Sequence, residues 1–313
     1  MNEPNRASDD PDNEFVELMQ RHQEAVQAGQ MHEADAAIQE LFEIAGRMVV
    51  ENPRPEWAFE EEARNHEAAG NWQAAEVAYR KALTITDAAC DAVWQFQAHR
   101  NLSRLYRLLG RLDVALVQSR LATQHARRTD ISMLLTGTLQ MEAFLALEYS
   151  RVGDALTAIQ EALLNIENDH PQDVVSLGRC LVLRAECHRR TGNVEQANAD
   201  LETAMKQFQP LEAMEFAGGV HSGIAEWWTI NARLLTDLKE CNDALHAWRR
   251  AVAGSRHVAN LPHCKDPYSD NKLAILLWEY GNALSAAGCT QESAEAIAES
   301  AELRNKIGLP PLP

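Results

Sequence analysis

The stretch RNLSRLYRLLGRLDVALVQSRLATQHA, residues 100 to 126, decides the fold. Gly110 sits at its middle, where a helix can end in the left-handed conformation without a Cβ penalty. Ser103, seven residues before the glycine, is small, as are Ala115 and Ala122, five and twelve residues after it. Offsets of five, nine and twelve are i, i+4 and i+7, which lie on one face of a helix. The stretch therefore predicts two helices packed closely across a short turn.

The same arrangement recurs outward in both directions. Turns are expected at Gly29, Gly70, Gly110, Ser150, Gly192, Lys239 and Gly288, at intervals of 41, 40, 40, 42, 47 and 49 residues. Seven residues before them stand His22, Ala63, Ser103, Ala143, Ala185, Ala232 and Gly281. Five residues after them stand Ala34, Ala75, Ala115, Ala155, Ala197, Ala244 and Ser293, and twelve after stand Leu41, Ala82, Ala122, Ala162, Ala204, Ala251 and Ser300. Only His22 and Leu41 are large. Nine residues after the turn the column is mostly bulky: Ile38, Tyr79, Ser119, Ile159, Leu201, Trp248 and Ile297. Where helix axes approach within about 8–10 Å, a small residue on one admits a bulky one from its neighbour. One pair alone cannot bury its apolar face, so the pairs must stack. Ser150 and Lys239 suit a left-handed turn less well than glycine does.

This small, large, small signature resembles the tetratricopeptide repeat family. It is clearest in residues 100–126, in LVLRAECHRRTGNVEQANADLETAM (181–205) and in AAGNWQAAEVAYRKAL (68–83). The resemblance covers about residues 15 to 305. The usual family unit has about 34 residues; the longer period here is similar to that of kinesin light chains and Pins-type polarity adaptors. The expected fold is all-α, a right-handed α-solenoid of about seven antiparallel helix pairs. The expected boundaries are a disordered tail at 1–13, one solenoid at 14–306 and an extended tail at 307–313.

Composition narrows the function classes. Hydrophobic residues at 46% and charged residues at 24% belong to a folded soluble chain. The first 13 residues are polar and acidic with no apolar core, so no signal peptide is expected; no apolar run approaches a membrane span, and the expected address is cytoplasmic. A net charge of −17 opposes phosphate backbones and anionic lipids, so neither nucleic acid nor membrane is an expected partner. The six cysteines, Cys90, Cys180, Cys187, Cys241, Cys264 and Cys289, form no CxxC pair and read as reduced, mostly core thiols. No cofactor and no metal is expected.

The two long intervals locate extra material around Pro210–Gly223 and Gly254–Asn271, as loops or helix extensions. The second holds His257, His263 and Cys264, which lack a fourth ligand at a recognisable spacing and read as surface rather than as a zinc site. The tail IGLPPLP, 307–313, cannot continue a helix and is expected to run off extended.

In a solenoid of this kind the first helix of each pair lines the concave face. Arg100, Arg104 and Arg107 fall at i, i+4 and i+7 on one such helix, with Asn101 beside them. By the same offsets neighbouring units add Arg64, Arg233 and Arg189, and the fourth unit adds Phe144 and Leu147. Guanidinium groups grip carboxylates bidentately, and the resemblance implies that Arg100, Asn101 and Arg104 match places where family members hold acidic or carboxylate-ending peptides. Glu60, Glu67 and Glu186 on the same stripe have the opposite sign, and the arginines could equally be solvated surface paired with the chain's own acids. Among Trp57, Trp72, Trp227, Trp228, Trp248 and Trp278, packing roles are expected, with Trp278 the candidate for the groove.

The expected function is a scaffold or adaptor that binds a protein or peptide segment of acidic character. A peptide-sensing regulator, resembling bacterial helical-repeat quorum receptors and acting on a partner protein, is the alternative; an accessory subunit of an enzyme is a third. No GxSxG, HExxH or phosphate-cradling glycine loop occurs, so the chain itself is not expected to be an enzyme.

Overall fold

The computed structural model describes residues 55–129, 131–211, 218–261 and 266–312, with a few helical positions between 17 and 40. The long stretches form twelve helices: α1 (Pro55–Ala68), α2 (Trp72–Ala89), α3 (Ala92–Leu108), α4 (Leu112–Ala126), α5 (Ser132–Glu148), α6 (Val152–Asp169), α7 (Val174–Arg190), α8 (Val194–Phe208), α9 (Gly218–Asp237), α10 (Cys241–Asn260), α11 (Pro267–Ala286) and α12 (Thr290–Lys306). The described residues contain no strand. None of their helices is long and apolar enough to cross a membrane.

The chain divides into two compact units, Met1–Glu61 and Glu62–Pro313, the division falling inside α1. In the first, Leu18 and Ala37 are buried and Arg21 donates to Glu40 at 3.2 Å. The turn expected at Gly29 and the tail expected at 1–13 lie outside the described residues.

The other six expected turns are all present and share one geometry. Gly70, Gly110, Gly192 and Gly288 take φ between 71° and 81°, and Ser150 and Lys239 take 60° and 61°. At each, the turn residue's N–H reaches the carbonyl three residues back and the next N–H reaches the carbonyl five back, as from Arg111 to Tyr106 at 2.8 Å and from Glu240 to Leu235 at 3.0 Å. This double bond satisfies two of the carbonyls a helix leaves open at its end. The serine and lysine therefore adopt the glycine conformation despite their side chains, at a cost of roughly 1–2 kcal/mol each.

The small-residue columns are the helix contacts. Ala63, Ser103, Ala143, Ala185 and Ala232 are fully buried, as are Ala75, Ala115, Ala155 and Ala197. Where a column carries serine, its hydroxyl donates to the facing backbone: Ser103 to Ala115 O at 2.9 Å, and Ser293 to Gly281 O at 2.8 Å. At Gly281 a Cβ would stand 2.7 Å from Ile297, the bulky residue of the same unit. Outside the columns, the buried Phe208 ring fills the space that Cβ atoms would take at Gly178 on α7 and Gly223 on α9, 2.6 and 2.7 Å away. The three largest apolar clusters of the described residues hand over at α7 and at α9.

Cys180 and Cys187 are buried, and burial pushes their thiols up to about 11 and about 12. Cys90 and Cys241 are exposed and Cys289 is half-buried, which corrects the expectation of mostly core thiols. The extra residues of the late units largely lengthen helices, since α9, α10 and α11 have 20 residues each. His257 belongs to α10, while His263 and Cys264 lie outside the described residues. Among the described residues no three His, Cys, Asp or Glu side chains gather closely enough to hold a metal.

Within the second unit the array curves until its last pair meets its first. Tyr268, at the start of α11, donates to Glu67 near the end of α1. Arg104 of α3 lies 3.6 Å from Asp266 and stacks 4.0 Å above the Tyr268 ring. The segment after α12 does leave the helix, but it does not run off. Ile307 and Leu309, each 6% exposed, pack with Leu108, Leu109 and Trp72.

Candidate functional site

Curvature of the second unit encloses a cavity of about 720 Å³. The first helices of successive pairs build its wall: Arg107 and Leu108 from α3, Phe144 and Leu147 from α5, Val182 and Glu186 from α7, Ile230 and Arg233 from α9, and Lys272, Ile275 and Glu279 from α11. These positions recur at three- and four-residue spacing because the small columns turn the opposite face of each helix toward its neighbours. Arg304 of α12, Gly308, Leu309, Pro310 and Leu312, with Trp72 of α2, Leu112 of α4 and Ser255 of α10, join the lining.

Charges on the wall are paired within the chain. Arg107 holds Glu148 bidentately at 2.9 and 3.1 Å, with its guanidinium 4.3 Å above the Phe144 ring. Arg233 holds Glu279 at 2.9 and 2.6 Å. Burial alone would lower the Arg233 pKa, but the bond to Glu279 leaves it raised. Glu186, 2% exposed, accepts from Arg189 and Arg190, each at 2.7 Å. Burial would raise its pKa; the Arg189 hydrogen bonds and the charge of Arg233 outweigh burial and hold it below the ordinary value. Arg190 also donates to the Leu147 carbonyl at 2.5 Å. Glu226 meets Lys272 at 2.7 Å and Arg179 at 3.6 Å. Against the upward push of burial, these cations bring its carboxyl down to about 2. Such carboxylates stay ionised at neutral pH and act as fixed anions rather than proton donors.

Four of the sequence-derived candidates, Arg107, Phe144, Leu147 and Arg233, come together on this wall. The others do not. Arg64 and Arg100 are exposed, and Asn101 is buried, accepting from Gln97 at 3.3 Å. Arg104 reaches Asp266 at the start of the last pair, and Arg189 is bound to Glu186 and to Asp237. The stripe at residues 100, 104 and 107 splits because the face it occupies rotates from solvent through the array's closing contact to the cavity. Trp278 is not part of the lining, whereas Trp72 is. Sequence reasoning missed Glu226, Lys272, Ile275 and the segment after α12. Glu226 and Ile275 stand thirteen residues before their turns and Lys272 sixteen, beyond the offsets of ten, six and three that located the candidates. Nothing in the sequence showed that the array closes.

No protein-family model matches the sequence, and no curated protein does. Solved structures do. Aspartyl phosphate phosphatase F from Bacillus subtilis aligns with a TM-score of 0.59 at 14% identity, over 95% of this chain and 72% of that one. A Rap protein complexed with Competence and Sporulation Factor aligns with a TM-score of 0.56 at 10% identity, over 95% and 99%. A Podospora anserina putative kinesin light chain with TPR-like repeats aligns at 0.46 and 15% identity, over 67% and 100%. With its left-handed turns, small-residue columns and stacked antiparallel pairs, the chain has the tetratricopeptide-type helical-repeat fold.

Proposed function

We propose that the chain is a non-catalytic binding protein that takes an extended segment of a partner protein or peptide into the cavity of its second unit. The observation that carries this reading is the cavity itself: about 720 Å³, built mainly by five first helices, with an apolar wall on which Arg107, Arg190, Arg233 and Lys272 are each paired with a glutamate. A pocket of this size and lining suits a short stretch of apolar side chains, with a few polar groups to fix its orientation. The Rap protein of similar fold, complexed with Competence and Sporulation Factor, supports a binding role for such an array. An adaptor and a peptide-responsive regulator both use this chemistry.

Acidic character of the partner is a second reading, favoured by Arg107, Arg190 and Arg233 on the wall. Each of them already has a carboxylate or carbonyl partner, so an incoming acid would have to exchange for one. The uncharged segment is therefore the first choice.

A phage-displayed library of random eight-residue peptides, selected on the full chain, tests both readings. Apolar peptides are expected to be enriched and to be lost on Phe144→Lys/Ile275→Lys, but retained on Val117→Lys, at an exposed site on α4. Selected peptides rich in Asp and Glu, with binding weakened by salt, would establish the acidic reading instead. Identical enrichment on all three proteins would remove the cavity from the function.

A further inference from the structure

The segment after α12 is held as a ligand would be. Gly308, at φ 72°, closes α12 with the same turn that separates the helices of each pair, Leu309 N–H reaching Arg304 O at 2.8 Å. Pro310 and Pro311 then exclude another helical turn, and the chain continues without regular secondary structure along the cavity wall. Leu309 is buried beside Leu108, and Leu312 lines the cavity further on. Arg304 donates to the Pro310 carbonyl at 2.5 Å and to Asn271 Oδ1 at 2.5 Å, so a charged donor fixes the main chain while leucines fill apolar recesses. Extended peptides bound from outside are read in this way, main chain by hydrogen bonds and side chains by pockets.

We infer that residues 308–312 are a built-in occupant of one side of the groove, leaving about 720 Å³ open beside them, and that the groove's ligand is an extended, uncharged segment containing leucine and proline that takes their place. This rests on the peptide-binding reading of the cavity. Apart from Arg304, whose partners are the neutral Pro310 carbonyl and Asn271 amide, the wall charges are paired with one another, so a charged newcomer must break a pair to gain most contacts, whereas an apolar newcomer only exchanges like for like. Prolines preset the extended backbone and reduce the entropy lost on binding. The resident segment's hold within the cavity is slight: two leucines and one carbonyl bond. Its advantage is its tether, which gives it an effective concentration in the millimolar range. A free peptide of the same sequence should therefore bind poorly until the resident segment is lifted.

The probe is a fluorescein-labelled synthetic peptide IGLPPLP, with IGDPPDP as its control. The proteins are the full chain, Leu309→Asp/Leu312→Asp and the milder Arg304→Gln/Leu312→Asp, which keeps Ile307 and Leu309 in place; circular dichroism verifies each fold. The expected result is binding of the probe to Leu309→Asp/Leu312→Asp at least about tenfold more tightly than to the full chain, a smaller gain for Arg304→Gln/Leu312→Asp, which lacks the main-chain donor and keeps Leu309 in its recess, and no binding of the control. Hydrogen exchange at Leu105–Leu109 and Ile275–Leu276 should rise on lifting and fall again with the probe. Equal affinity for lifted and full chains, or unchanged exchange on lifting, overturns the inference while leaving library-selected peptides to decide the cavity's function. Exchange that rises on lifting and is never restored by the probe overturns it too, making the segment simple packing.

Discussion

At the scale of single residues the most constrained contact is Phe208 between two glycines. Gly178→Ala would drive a methyl group into the ring, and overpacking of this kind costs about 1–3 kcal/mol; urea unfolding followed by circular dichroism measures it. Glu226 makes a pH prediction. Its folded pKa of about 2 lies below the ordinary 4.5, so the stabilisation it provides is fully present above about pH 4.5 and is lost as pH falls toward 2. The loss is on the order of 3 kcal/mol. Glu226→Gln/Lys272→Met, which removes both charges together, should flatten the fall in melting temperature across that window. Neither residue was legible in advance. Glu226 is one of 46 acidic residues in the sequence, and its partner Lys272 lies on a helix two further along the chain. Phe208 stood outside the repeating columns that guided the reading.

At the scale of elements the sequence was far more informative. The columns around Gly70, Gly110, Gly192 and Gly288 predicted which helix faces touch, because close contact admits only small side chains and the period repeats that constraint six times among the described residues. Ser150 and Lys239 looked like departures. Their φ of 60° and 61° shows that the turn imposes its conformation on whatever residue stands there. Ser150→Gly and Lys239→Gly are each expected to stabilise the chain by about 1 kcal/mol, and Gly110→Val, at φ 74° with open space around it, to destabilise it through backbone strain alone. Thermal melts of the three variants check both directions. Of the binding candidates, those on α5 and α9 and the last of the α3 stripe reached the cavity. Arg64, Arg100 and Arg104 did not, since offset from a turn fixes the side of a helix but not what the array's curvature places opposite that side.

At the scale of the second unit, stability is divided unequally. Three larger apolar clusters join neighbouring pairs, whereas the contact of the last pair with the first two combines the polar set Glu67, Tyr268, Arg104 and Asp266 with a small apolar cluster of Ile307 and Leu309 against Leu108 and Trp72. Burial raises the Glu67 pKa, outweighing the lowering by Tyr268, Arg104 and Tyr79, with Asp266 adding to the rise. A carboxyl whose folded pKa is raised stabilises below its unfolded value and loses that contribution as pH rises through the folded one. The closing contact is thus firmer in mild acid than at neutrality. Glu67→Gln, which copies the protonated form, should raise the melting temperature at pH 7 and shrink the difference between pH 7 and mild acid. Closure also sets a rule of inheritance. An open repeat protein tolerates duplication or deletion of a unit, because each new pair needs only its immediate neighbours. Here an added or missing pair between α3 and α11 would carry Tyr268 away from Glu67 and the 308–312 segment away from Leu108, so the copy number of this array is fixed by its own circumference.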